Sequence, residues 1–202
     1  MQAVDVVIPV YDGLEETRRC LETVLATVDA SWARLVVVND CSPDPRISEL
    51  LRAFKADHAN LVLLENETNR GFVGTANRGM QHDLERDVLL LNSDVEVARD
   101  WLQRLREAAY AKDRIGSLTP FSNNATICSF PDFCKDNALL FGLELEEIDR
   151  CFAALFSAED RFPVPSGVGC CMYIRRDCLR EIGYFDEETF GRGYGEENDW
   201  CQ

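Results

Sequence analysis

The sequence predicts an α/β fold built on a mostly parallel sheet flanked by helices. Two observations carry this reading. Across the first two thirds of the 202 residues, short β-branched apolar runs alternate with stretches of helical periodicity, the pattern of successive βαβ units. Asp and Asn residues then follow one strand after another, at the end of an open parallel sheet where ligands bind. With 46% apolar residues the chain fills a sizeable core, and its length fits one domain.

The run Val4 to Val10 is the first strand, closed by Pro9, which has no N–H to give a central ladder. Asp12 then fits an N-cap with Glu15 three residues on, ahead of a stripe of Leu14, Leu21, Val24, Leu25 and Val28. Leu35 to Val38 is the second strand; Asp44 and Pro45 are the cap and first residue of a second helix, with Ile47, Leu50, Leu51 and Phe54 on its buried face. Leu61 to Leu64 is a third strand, and Phe72, Val73, Ala76 and Met80 mark a third helix. Val88 to Leu91 reads as a strand buried on both faces. Trp101, Leu102, Leu105, Ala108 and Ala109 give a fourth helix, and Ile115 to Thr119 a short fifth strand.

Beyond Pro120 the pattern loosens, broken by Pro131, Pro163 and Pro165. A helix around Leu143 to Leu155, a strand over Val168 to Ile174 and a short helix over Asp177 to Ile182 are expected. The closing Glu196-Glu197-Asn198-Asp199-Trp200 has the acidic start of a helix, so the chain reads as cut at Gln202 rather than ended there.

Charge and composition exclude several classes. A formal net charge of -15 argues against a nucleic-acid partner and against electrostatic docking of the whole surface on anionic lipid. The longest apolar runs are far too short to span a bilayer, and Met1 to Asp5 carries no secretory signal, so a cytosolic protein is expected. Nine cysteines form no C-x-x-C pair, and the spacings Cys128 to Cys134 and Cys171 to Cys178 match no zinc template; reduced core thiols are the reading. The first strand is followed by no G-x-G-x-x-G, and neither a P-loop nor a G-x-S-x-G occurs anywhere. His58 and His82, the two histidines, sit in helical, charged surroundings and read as surface residues.

The residues after the strands carry the chemistry that remains. They are Tyr11 and Asp12; Asn39 and Asp40; Asn66, Asn69 and Arg70; and Asn92, Ser93 and Asp94. Taken singly, each Asp or Asn is more often a cap or a turn residue. Asp40, at the end of the second strand, is placed to accept hydrogen bonds from a ribose. Asp94 follows a fully apolar strand, where a carboxylate costs desolvation unless water, a donor or a cation meets it; a hard divalent cation bridging to phosphates meets that need. Glu196, Glu197 and Asp199 crowd three carboxylates beside Trp200, either as an acidic helix start or as a tuned general base.

Five blocks in order then resemble the family 2 glycosyltransferases of GT-A type, a Rossmann-like nucleotide-diphosphosugar transferase fold. They are Val6-Val7-Ile8-Pro9-Val10-Tyr11, Val38-Asn39-Asp40-Cys41-Ser42, Asn69-Arg70-Gly71-Phe72, Leu91-Asn92-Ser93-Asp94 and Gly195-Glu196-Glu197-Asn198-Asp199-Trp200. The resemblance implies a single GT-A domain over 1–202, with a nucleotide-binding half over 1–120 and an acceptor-side half over 121–202. It implies donor contacts from Pro9, Val10, Tyr11, Asp40, Arg70, Asn92, Ser93, Asp94 and Gly169. The family's D-x-D metal motif falls on Asn92-Ser93-Asp94, so Asp94 is left as the metal-binding carboxylate for Mn²⁺ or Mg²⁺. The family's base falls on Glu197, with Asp199 second and Glu196 beside it.

The activity implied is inverting transfer from a nucleoside-diphosphate-sugar to a hydroxyl of a glycan or lipid-linked acceptor. The members nearest in character are rhamnosyltransferase-like bacterial enzymes of cell-surface polysaccharide synthesis, which implies a cytoplasmic enzyme working at the inner face of the membrane as a peripheral protein. The segment Ser166 to Met172 reads either as a donor and acceptor lining or as a tight turn into a strand, and Ser122-Asn123-Asn124 as sugar-binding donors or a plain loop. Two rivals stand beside the transferase. A sugar nucleotidyltransferase needs a glycine-rich basic loop that Val10 to Leu14 lacks, and a non-catalytic nucleotide-sugar binder is favoured by Asn92 in place of the first carboxylate.

Overall fold

The computed structural model describes residues 2–139, 142–155 and 160–202. Four strands, β1 (Val4–Val10), β2 (Ala33–Asn39), β3 (Leu61–Glu65) and β4 (Asp87–Leu91), run parallel, and β5 (Ser117–Leu118) and β6 (Cys171–Ile174) complete the sheet in the order β3-β2-β1-β4-β6-β5. β1 is central: it pairs β2 from Val4 opposite Ala33 to Val10 opposite Asn39, and β4 from Val4 opposite Asp87 to Val7 opposite Leu90. β6 is antiparallel to both neighbours, with Leu91 opposite Cys171, so the end of β4 adjoins the chain entering β6. Pro9 lies opposite Val38 and the strand ends one residue later.

The alternation of side chains splits the core into two layers. On one face Val6, Ile8, Leu35, Val37 and Leu89 pack under α1 (Leu14–Thr27), α2 (Pro45–Asp57) and α4 (Trp101–Tyr110), through Leu21, Val24, Ile47, Leu51 and Leu102. On the other, Val7, Val36, Val38, Val88 and Leu90 meet Val73, Ala76 and Met80 of α3 (Gly71–Met80), Leu179 of α6 (Arg176–Ile182) and Trp200 of α8 (Glu196–Trp200). The short α7 (Glu187–Phe190) lies between the last two, and α5 (Leu145–Leu155) carries no buried residue.

At the N-terminal ends of the strands the buried charges are fully met. Asp5 accepts from Arg34 and Arg86. Asp87 accepts from Tyr110 and Tyr173 hydroxyls at 2.8 and 2.6 Å and from the Arg176 N–H at 2.8 Å. Burial and the neighbouring Asp87 charge push the Tyr173 phenol far above its ordinary pKa. These acids anchor the sheet rather than face a ligand.

Several sequence-derived elements shift in the structure. Asp12 does not cap α1: its Oδ1 accepts from the Gly13 N–H at 2.8 Å, and Gly13 at φ 84° is the N-cap, without a side-chain bond. Asp44 and Pro45 do begin α2, with Asp44 Oδ1 accepting from Arg46 N at 3.0 Å. The strand expected from Val168 starts only at Cys171, because Cys171 N turns back to Val168 O. The fifth strand shrinks to Ser117–Leu118. All nine cysteines are free thiols.

Helix α3 approaches the sheet tightly at Gly79, where an added Cβ would collide with Val7 Cγ1 and lie 3.3 Å from Val38 Cγ2. Gly79→Ala is therefore expected to destabilise by about 1–3 kcal/mol, overriding the helix preference of alanine. An unchanged urea midpoint would show that β1 yields at this point.

Candidate functional site

A cleft of about 490 Å³ opens at the carboxyl ends of β1, β2 and β4. Its wall takes Pro9, Val10 and Tyr11 from the first loop, Asp40 from the second, Gly71 and Thr75 from α3, and Asn92, Ser93 and Asp94 from the loop after β4. Strand order explains the meeting: β2 ends level with β1, and β4 runs parallel on its other side and ends slightly earlier, so residues far apart in sequence share one rim.

Asp40 is buried at 3% exposure, and its carboxylate organises this rim. Oδ1 accepts from Asn66 Nδ2 at 2.6 Å and from Arg70 N at 2.8 Å, and Oδ2 accepts from Gly71 N at 2.9 Å. The last two are the first N–H groups of α3, which has no side-chain cap of its own, so Asp40 caps that helix from a neighbouring strand. One acceptor position on Oδ2 remains for another donor.

Arg70 contributes its backbone to this arrangement, while its Nη2 donates to both carboxylate oxygens of Glu187 in α7 at 2.9 and 3.0 Å. It does not line the cleft; the arginine that does is Arg192, in the turn between α7 and α8. Sequence reasoning passed over Arg192 and Glu16. The signal for the first was present in Gly191-Arg192-Gly193, a lone cation between glycines just ahead of the acidic cluster.

Asn92 N donates to Cys170 O at 3.0 Å, and Cys20 Sγ donates to Asn92 O at 3.5 Å. The backbone is thereby fixed while the following side chains face the cleft. Asp94 is exposed, three residues past the end of β4, so the desolvation expected from its apolar strand does not arise. Burial first, and then the Asp94 charge, push the Cys20 thiol up to about 12. One carboxylate with nearby oxygen donors suits a divalent cation that completes its shell with phosphate and water. Among the described residues, no three His, Cys, Asp or Glu side chains gather into an all-protein metal cage.

Gly169, like Arg70, lies outside the cleft wall, and it faces α8. Its N–H donates to Glu197 Oε1 at 2.9 Å, and a Cβ at this position would strike that carboxylate. Gly167 N donates to Cys201 Sγ at 3.2 Å, so the turn before β6 holds α8 at two points. Glu197 is half-buried and Asp199 exposed. Glu196 is 3% exposed, with Oε2 buried and without a hydrogen-bond partner. Burial, aided by the Glu197 charge, raises its pKa above the ordinary carboxylate range.

The pattern that defines "Glycosyl transferase family 2" spans residues 5–183, which carry every wall of the cleft except Arg192. The chain belongs to this family. Its likeness to Glycosyltransferase AglE of Haloferax volcanii is 29% identity over 102 residues, 50% of this chain and 33% of that protein. In fold it resembles the mannosyltransferase PcManGT from Pyrobaculum calidifontis, solved with GDP-Man and Mn²⁺, at TM-score 0.70 and 18% identity over 98% of this chain and 50% of that one. It also resembles GalNAc-T7 with UDP, GalNAc and Mn²⁺, at TM-score 0.74 and 18% identity over 100% of this chain and 40% of that one. For S. aureus TarS with UDP-GlcNAc the TM-score is 0.66 at 17% identity, over 98% and 52%. The chain thus spans about half or less of each of these proteins. No helix among its described residues is long and apolar enough to cross a membrane.

The raised pKa of Glu196 has a definite sign in this glycosyltransferase fold. The folded state holds the Glu196 proton more tightly than the unfolded chain, so stability falls as pH rises through the interval between the two values. Glu196→Gln is expected to match the wild type near pH 4 and to exceed it near pH 8 in urea unfolding. A stability difference independent of pH would show that burial of Glu196 is compensated.

Proposed function

We propose that this chain is the nucleotide-sugar-binding and catalytic domain of an inverting family 2 glycosyltransferase. The observation that carries the proposal is the convergence of two acidic positions on one edge of the sheet. Asp94 lies on the loop after β4, and Glu197 is held by Gly169 next to Cys170, whose carbonyl receives Asn92 N. The 1–120 half would take the donor, with Pro9, Val10 and Tyr11 against the base and Asp40 toward the ribose. The 121–202 half would present the acceptor hydroxyl.

In this reading Glu197 takes the proton of the acceptor hydroxyl as oxygen attacks the anomeric carbon from the face opposite the nucleoside diphosphate, and one displacement inverts that centre. The Gly169 N–H fixes Oε1 and leaves Oε2 to receive the proton. Asp199, exposed on the same helix, is second choice for this role, and the buried Glu196 a flank that tunes it. Asp94, with Asn92 and Ser93 on its loop, would hold a divalent cation, which supplies charge for the departing diphosphate. The donor is a nucleoside-diphosphate hexose or deoxyhexose, and the acceptor a glycan or lipid-linked hydroxyl of cell-surface polysaccharide synthesis on the cytoplasmic side of a membrane. Support for the donor class comes from the nucleotide sugars named with the solved relatives.

Calorimetric titration with UDP, GDP and dTDP, each with Mn²⁺ and with chelator, tests the donor class. Binding of one of them that weakens with chelator, and loses its metal dependence in Asp94→Ala, is the expected result. Identical affinity in both conditions would remove the cation from the proposal. Glu197→Gln is expected to keep donor binding and lower transfer by roughly 10²–10⁴-fold. The second reading, a donor binder without transfer, is favoured by Asn92 in the motif's first position; it predicts nucleotide binding with no transfer even in the wild type.

A further inference from the structure

We infer that Arg192 holds the outer, sugar-bearing phosphate of the donor diphosphate, an assignment that rests on the donor-binding reading above. The cleft is strongly acidic: Asp12, Glu16, Asp40 and Asp94 line it, and Arg192 is the one cation among its described lining residues. A diphosphate entering it needs positive charge, and two sources beside Asp40, the start of α3 and the Arg70 guanidinium, are already engaged. A helix N-terminus commonly receives phosphate through its free N–H groups. At α3 the first three are engaged: Arg70 N and Gly71 N donate to Asp40, and Phe72 N donates to Arg192 O at 3.3 Å. The Arg70 guanidinium is taken by Glu187.

Arg192 is exposed, and among the described residues its guanidinium makes no hydrogen bond or ion pair. Its place is built by backbone geometry. Gly191, Gly193, Tyr194 and Gly195 all have positive φ, at 52°, 132°, 74° and 108°. This winding presses the Arg192 backbone onto Gly71, where an added Cβ would stand 2.8 Å from Arg192 Cα. A non-glycine residue at φ 74° is strained, and such strain persists where the surroundings enforce it. The turn enters α8 directly, so the arginine that meets the leaving phosphate and the acid proposed to activate the acceptor share one short segment. A planar, permanently charged guanidinium matches two phosphate oxygens and strengthens as the leaving group gains charge.

The test is titration of the full chain, as wild type, Arg192→Gln and Arg192→Lys, with UDP, GDP and dTDP and with the matching monophosphates, in Mn²⁺ and in chelator. Arg192→Gln is expected to weaken diphosphate binding about tenfold or more, while monophosphate binding stays within about twofold and Arg192→Lys falls between. The loss should persist in chelator, which separates it from any cation bound at Asp94. Unchanged diphosphate affinity in Arg192→Gln, or equal losses for mono- and diphosphate, would overturn the assignment while leaving the donor reading intact. Failure of the wild type to bind any of the diphosphates would overturn both. Urea unfolding of each variant separates a local loss of charge from a loss of fold.

Discussion

The carboxylate of Asp40 is the interaction on which the cleft depends. It is buried at the end of β2, and it takes the Asn66 side chain and the first two N–H groups of α3. A buried charge is tolerated only when donors surround it, and here the donors come from both ends of the segment that leads from β3 into α3. The same bonds cap α3, align the third loop with the second and set Gly71 where the turn before α8 can press against it. Asn66 extends the network to Thr75 at 3.0 Å and, through its own amide oxygen, to Arg78. One acid therefore ties the loop after β2 to the loop after β3.

The two ends of the sheet treat acidic residues in opposite ways. At the amino ends Asp5 and Asp87 are closed off by arginines, tyrosine hydroxyls and a backbone N–H, and nothing more could approach them. At the carboxyl ends Asp94 stands exposed and Glu197 keeps only one backbone donor from Gly169. A fold that saturates its structural charges at one end of the sheet and leaves these acids open at the other keeps its unspent electrostatics at the carboxyl end. Glu196 is a third case: it is buried and incompletely met, and burial beside Glu197 raises its pKa.

Much of the architecture was legible because local chemistry and tertiary packing agree there. The short apolar runs became β1 to β4, and Asp44-Pro45 began α2, since a cap and a preset proline angle act within a few residues. The reading failed where a local preference lost to a neighbour. Asp12 looked like a cap, but its side chain was drawn to the next N–H while Gly13 took the left-handed turn. Val168 looked like strand, but the glycines beside it let the chain turn and hold α8 before β6 began.

The sequence by itself determined the α/β class, the order of strands and helices, the loops that bear polar residues, and the blocks that mark a family 2 glycosyltransferase. These follow from periodicity and from motifs contained in short stretches of chain. Tertiary structure alone decided what the polar groups of the cleft meet across the sheet. It turned Asp40 into the cap of a helix beginning thirty-one residues later, paired Arg70 away from the cleft, and brought Arg192 into it. It also set Gly169 against Glu197. Such pairings depend on which strands lie side by side and how two helix ends meet across them, and no local pattern of residues encodes that distance.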